Sequence, residues 1–387
     1  MHSFVPGSSC RTPECVPYGR TFYAGGRATH VTHSVDQNLS RKAPVPLRLF
    51  PRRGVGRGET RATPDDARRT LATGQSGLRL LSMIAGLPLR MRRRLLRIGW
   101  RLSLLSGRKA GFGLEPLLQT YLRQGAADAR RIALEHDFHD WLQVTEWLAS
   151  GRRSKRGLIA DSRLMQVADP GIAERLAASG ENIILAPVHM GIFPLGISFV
   201  IFKFFPNRRL LVLRARDDHE DNNVAMERLR EVASEVYILN TRNEDDFMDA
   251  IRFARKGAIV VSMIDLPETY GSPAETTLFG HPASIALGLD AMARMLKAVV
   301  LPMAVISDLR GDRIAFGQPF EVWRNSKEDR SALAAHIGRD IEAFVSLDPA
   351  QWHMWTRILE FFPSGTRRGS GMLADSGMER TVGDASA

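Results

Sequence analysis

Short, nearly continuous apolar runs mark the chain from its middle onward, at 183–188, 210–214, 236–239, 258–264 and 299–306. Runs of this length, rich in β-branched residues, read as strands buried on both faces. Helix signals stand between them. Asp169 followed by Pro170 is an N-cap with proline at the first helical position, and Gly180 closes that helix. Asn243 caps a helix over 244–256, whose last turn carries Arg252, Arg255 and Lys256 before Gly257 stops it. This alternation predicts an α/β fold: a mostly parallel central sheet flanked by helices, with a helical section before it.

The stretch 183–205 is apolar over a length that would suit a membrane helix of roughly 20 residues. Pro187, Gly191, Pro194 and Gly196 interrupt it, so a buried strand, a turn and a buried helix are expected instead. The segment 76–109 is of another kind. Leucines, Ile98 and Trp100 alternate with Arg79, Arg90, Arg92, Arg93, Arg94, Arg97, Arg101, Arg108 and Lys109, and no Asp or Glu occurs. A basic helix with leucine and tryptophan on its other face lies in the interface of an anionic membrane. Residues 1–75 have no sustained apolar period and are rich in Pro, Gly, Ser, Thr and Arg, which predicts a disordered basic tail. A downstream start, for example at Met83, is the alternative explanation of that tail. Residues 364–387 read as a flexible C-terminal tail, 76–168 as the helical membrane-associating section and 169–363 as the α/β core.

Composition narrows the class. A 44% apolar fraction fits a packed core. The net charge of +11 and a pI near 10.2 favour acidic partners: anionic lipid, an acidic carrier protein or nucleic acid. Aromatics amount to 7% and the cations of 76–109 lie among leucines, which favours lipid over nucleic acid, so no nucleic-acid partner is expected. The two cysteines, Cys10 and Cys15, both fall in the expected tail, leaving no disulfide framework and no cysteine nucleophile in the core. No G-x-S-x-G elbow and no metal-spaced cluster occurs, and no cofactor or metal is expected.

In open α/β sheets ligands bind beyond the carboxyl ends of the strands. The residues at or just past the expected strand ends are His189, then Arg214 and Arg216, then Asn240 and Arg242, and finally Asp265. A potential base, several anion binders and a carboxylate thus converge on one sheet edge. His189 is the only ionisable residue between Asn182 and Phe202, and Gly191 two positions on lets the backbone turn sharply and approach a ligand.

Three stretches carry a resemblance: His189-Met190-Gly191, Leu278-Phe279-Gly280-His281-Pro282-Ala283, and Asp348-Pro349-Ala350-Gln351-Trp352. In this order and spacing they resemble the bacterial lipid A biosynthesis (late) acyltransferases and the related mannoside acyltransferases, within the lysophospholipid acyltransferase superfamily. The family patterns are H-F-G-N-W-E, F-F-G-R-P-A and P-x-Q-W, and the likeness spans roughly residues 80–362. The resemblance implies transfer of a fatty acyl group from an acyl-ACP or acyl-CoA thioester to a hydroxyl of a glycolipid or phospholipid. It also implies a peripheral place on the cytoplasmic face of the inner membrane. His189 matches the family's general base. The acidic residue expected five positions later is replaced by Pro194, and none of the ten histidines has Asp or Glu at that spacing. Asp265 is the candidate replacement, with Glu268 and Asp217 as poorer ones; the alternative is a catalytically degenerate homologue that binds lipid or acyl carrier without turnover. Arg228 and Arg230 resemble an arginine pair that would hold phosphate or a carrier's phosphopantetheine arm. His281 stands where the family has arginine, and the turn at Phe279 and Gly280 is expected to close the acceptor site. Trp352, Met354 and Trp355 are read as core packing of a last helix.

Overall fold

A computed structural model describes residues 75–362, apart from 109, 112, 215–232 and 241–245. Of the expected tails 1–75 and 364–387, all but Gln75, which opens the first helix, lies outside the described residues. So do Arg216, Asp217, Arg228, Arg230, Arg242 and the expected helix cap Asn243.

Five helices come first: α1 (Gln75–Ala85), α2 (Leu89–Leu105), α3 (Leu114–Leu122), α4 (Ala126–Arg152) and α5 (Lys155–Ser162). Strands and helices then alternate: β1 (Met165–Val167), α6 (Pro170–Ser179), β2 (Ile183–Pro187), α7 (Phe193–Phe204), β3 (Leu210–Arg214), β4 (Val236–Asn240), α8 (Phe247–Ala254) and β5 (Ile259–Val261). A hairpin of β6 (Pro273–Leu278) and β7 (His281–Ala286) follows, then α9 (Leu289–Leu296), β8 (Val299–Ser307), β9 (Asp312–Phe316), β10 (Phe320–Glu321) and α10 (Lys327–Leu347). The described chain ends in two 3-10 segments, Pro349–Gln351 and His353–Phe361.

The main sheet has the order β1-β9-β8-β2-β5-β3-β4, with β10 also paired to β8. From β8 to β4 every pairing is parallel; β9 runs antiparallel to β8. Strand β2 is central and buried at every residue. Its alternation splits the core: Ile184 and Ala186 join one apolar cluster, Ile183 and Leu185 the other. The apolar runs are continuous because both faces of the sheet are covered. Asp169 caps α6 by accepting from Gly171 N–H at 3.1 Å, and Gly180 ends it at φ +71°.

The basic segment 76–109 is helical and only partly turned to the surface. It is two helices broken at Pro88, and two of its arginines point inward. Arg92 donates to Glu146 of α4 at 3.0 Å and to Asp161 of α5 at 2.6 Å. Arg93 donates to Glu146 at 2.8 Å and to Asp312 of β9 at 2.9 and 3.1 Å. Arg97 and Arg108 pair with Glu135 and Asp137 of α4. The acids missing locally are supplied by other elements: Arg92, Arg93 and Arg97 tie α2 to them, and Arg108 ties down the turn that follows it. The opposite face of α2 keeps Met91, Leu95, Ile98, Leu102 and Leu105 exposed, spaced alternately by four and three, beside exposed Arg90, Arg94 and Arg101.

Candidate active site

The site starts from strand register. β2 and β5 are neighbours with Leu185 opposite Val261, an offset of 76 residues. The ladder continues past both strands, since Ser262 N–H donates to Leu185 O at 3.0 Å and Ile264 N–H to Pro187 O at 3.2 Å. His189 and Asp265 have the same offset, so they stand level just beyond adjacent strand ends. Adjacency of β2 and β5 thus joins two residues that sequence could place only on a common edge.

Their geometry is specific. His189 Nδ1 lies 2.8 Å from Asp265 Oδ1, and the backbone N–H of His189 donates to Asp265 Oδ2 at 2.7 Å. Trp352 Nε1–H donates to the same Oδ2 at 2.8 Å. Asp265 is fully buried and these donors fix its carboxylate plane; the His189 side chain remains 22% exposed. An ionised carboxylate only accepts, so it selects the His189 tautomer with the proton on Nδ1 and the lone pair on Nε2. Phe193, at the start of α7, packs its ring edge-on to the imidazole with centroids 5.0 Å apart. Pro194 lies in the first turn of α7. Glu268 is exposed in a 3-10 turn.

The turn that carries His189 is held on several sides. Met190 N–H bonds to Val188 O at 2.8 Å, closing a three-residue turn with His189 in the middle. Gly191 follows at φ +55°, and a Cβ there would stand 2.3 Å from Val305 O, so only glycine fits. Residues 351–353 run alongside. Gly191 N–H donates to Gln351 O at 3.1 Å, Met190 pairs with Trp352, and His353 N–H donates to His189 O at 2.8 Å. The Gln351 side chain both accepts from Ser307 N–H at 2.7 Å and donates to Ser307 O at 3.0 Å, locking this strip to the end of β8. Trp352, Met354 and Trp355 are buried, but Trp352 also orients Asp265; it stands between the two 3-10 segments, and Met354 and Trp355 belong to the second of them and not to an α-helix.

Phe279 and Gly280 form the two-residue turn between β6 and β7, both at positive φ, +54° and +77°. Phenylalanine tolerates this backbone because Glu342 of α10 accepts its N–H and its ring stacks on Trp355, with centroids 5.5 Å apart, and meets Trp352 at 5.7 Å. The hairpin turn therefore buttresses the tryptophan that holds Asp265. His281 packs edge-on to Tyr121, at 5.2 Å, and against Phe362. Arg214 ends β3 opposite Asn240 of β4. Among the described residues no group of three or more His, Cys, Asp or Glu is placed to hold a metal ion.

A central parallel sheet with a histidine–carboxylate pair at its carboxyl edge is a frame suited to acyl transfer. The family model of the bacterial lipid A biosynthesis acyltransferases matches residues 159–360, just over half of the chain. The chain belongs to this family, and its class is that of a lipid acyltransferase. A search of curated proteins returns no match to the chain.

Proposed function

We propose that the protein moves a fatty acyl group from an acyl-ACP or acyl-CoA thioester to a hydroxyl of a lipid or glycolipid acceptor, with His189 as general base and Asp265 as its orienting carboxylate. The contact of His189 Nδ1 with Asp265 Oδ1 at 2.8 Å carries this proposal. It leaves Nε2 as the proton acceptor. Nε2 takes the proton of the acceptor hydroxyl as that oxygen bonds to the thioester carbonyl carbon. The tetrahedral intermediate then collapses, the carbon–sulfur bond breaks, and the imidazolium proton goes to the departing thiolate. Binding without turnover was suggested by Pro194 alone. Asp265, supplied by the neighbouring strand end, favours turnover over that reading.

Purified protein incubated with acyl thioesters and a panel of glycolipid and phospholipid acceptors is expected to form an acylated product. His189→Ala is expected to lower that rate by about a hundred- to ten-thousandfold. Product formation by His189→Ala at the wild-type rate overturns the mechanism.

The acceptor and the acyl chain are apolar, which places the reaction at a membrane surface. No helix among the described residues is long and apolar enough to cross one. The exposed stripe of α2, from Met91 to Leu105, with Arg90, Arg94 and Arg101 beside it, suits the headgroup boundary of an anionic bilayer, here the cytoplasmic face of the inner membrane. Lys155 and Arg156 of α5 and Arg163 just past it line a basic hollow around exposed Ile159. Each arginine near an anionic surface contributes about 1 kcal/mol. Replacing Arg94 and Arg101 together by glutamate is expected to weaken sedimentation with phosphatidylglycerol vesicles about tenfold or more. Equal binding of wild type and variant, or equal binding to neutral vesicles, argues against this orientation.

A further inference from the structure

Beneath the His189 turn lies a cluster of ionisable groups that the chemistry above does not use. It contains His136, His139 and Asp140 of α4 together with His353. The His353 side chain is 10% exposed. Its Nε2 lies 2.9 Å from Gly191 O, and its Nδ1 lies 3.4 Å from Asp140 Oδ1. A backbone carbonyl only accepts, so the Nε2 must carry a proton. Asp140 also only accepts, so its contact with Nδ1 is made when that nitrogen too carries a proton, and the ring is then held between two acceptors. The second Asp140 oxygen lies 3.7 Å from His136 Nε2, and His136 Nδ1 meets Ala350 O at 2.9 Å. Asp140 therefore stands between two imidazoles, each of which reaches on to a backbone carbonyl of the strips that meet at the site.

The charges of the cluster are consistent with this role. Burial pushes the Asp140 carboxyl up, but His136 and His353 outweigh burial and hold it below the usual carboxylate range. Burial, with His353, His136 and Arg97 nearby, lowers His139 to about 3, so its ring stays neutral near pH 7.

We infer that His353 is a positioning residue for His189: its Nε2–H bond to Gly191 O fixes the turn that aims the catalytic imidazole, and Asp140 holds the His353 ring in place. Main-chain bonds alone secure the turn at His189 O and Gly191 N; the side chain adds the one bond to Gly191 O. This role rests on the acyl-transfer chemistry proposed above.

Two amide variants separate positioning from folding. Glutamine places its side-chain nitrogen near the place of Nε2 and can still donate to Gly191 O; asparagine is one carbon too short. His353→Asn is expected to lower kcat about a hundredfold with KM within about twofold, the scale of an ångström-sized misplacement of a catalytic group. His353→Gln is expected to recover most of that loss. A second readout needs no turnover: the downfield proton resonance of His189 Nδ1–H, assigned by its loss in His189→Ala. It is expected to persist in His353→Gln and to broaden or vanish in His353→Asn. Wild-type kcat in His353→Asn, equal impairment of both variants, or an unchanged resonance in His353→Asn overturns the inference. A resonance that follows this pattern while no acceptor is acylated keeps the positioning role and rejects the transferase chemistry.

Discussion

Asp265→Asn is expected to lower kcat by about three to four powers of ten and to leave the unfolding temperature within a few degrees of wild type. Oδ2 of Asp265 accepts from two fixed donors, the backbone N–H of His189 and the indole N–H of Trp352. Asparagine keeps its oxygen there, because an NH2 group facing two N–H donors would leave all three unsatisfied. Its nitrogen then faces His189 Nδ1. An amide nitrogen donates and does not accept, so the imidazole must present a lone pair at Nδ1 and carry its proton on Nε2. The atom that should take the hydroxyl proton is then already protonated. Steady-state kinetics with the best donor and acceptor pair, alongside thermal unfolding by circular dichroism, test this. A variant within tenfold of wild-type kcat shows that Asp265 does not set the tautomer.

The largest stability effect is expected from Glu146→Gln, about 3–5 kcal/mol at pH 7. Glu146 is buried on α4 and accepts from both Arg92 and Arg93, which are themselves fully buried. Burial opposes the charge on both guanidinium groups, but Glu146 and their other carboxylate partners outweigh it and hold both above their ordinary value. Removing one carboxylate leaves two buried cations to share Asp161 and Asp312. Burial likewise pushes the Glu146 carboxyl up, yet Arg93 and then Arg92 prevail and hold it below its usual value. The stability it contributes is therefore full above the ordinary glutamate pKa and is lost as pH falls through the depressed folded value. Asp312 has the opposite sign: burial outweighs Arg93 and raises it, so its protonation favours the fold as pH falls. Urea unfolding across the acid range is expected to show a steep limb in wild type that flattens in Glu146→Gln. Equal midpoints at pH 7 reject the buried network as a stabilising unit.

Much of the sheet is legible in sequence, because strands covered on both faces are written as unbroken apolar runs. The runs at 183–188 and 299–306 fall within a residue of β2 and β8. The β6–β7 hairpin is not legible, since Glu275, Thr276 and Thr277 interrupt its strands and Phe279-Gly280 lacks the usual Asn-Gly turn signal. β9 is hidden for a similar reason, as it opens on Asp312 and Arg313. His189 and Asp265 are readable as strand-end residues, but their contact depends on β5 inserting between β2 and β3, a strand order that no local pattern encodes. The inward turn of Arg92 and Arg93 escapes for the same cause: Glu146 and Asp312 lie 53 and 219 residues from Arg93. A segment without acids looks unpaired until the fold brings them in. Trp352 reads as bulk, because composition does not reveal where an indole N–H points.

Residues 351–353 lie far downstream of the turn they clasp. A nascent polypeptide halted before Gln351 already contains both members of the proposed base and carboxylate pair, yet it lacks the indole donor to the aspartate and the strip that borders the glycine turn. On the proposed chemistry, C-terminal proteolysis that removes the strip is expected to silence the molecule with its histidine and aspartate still intact.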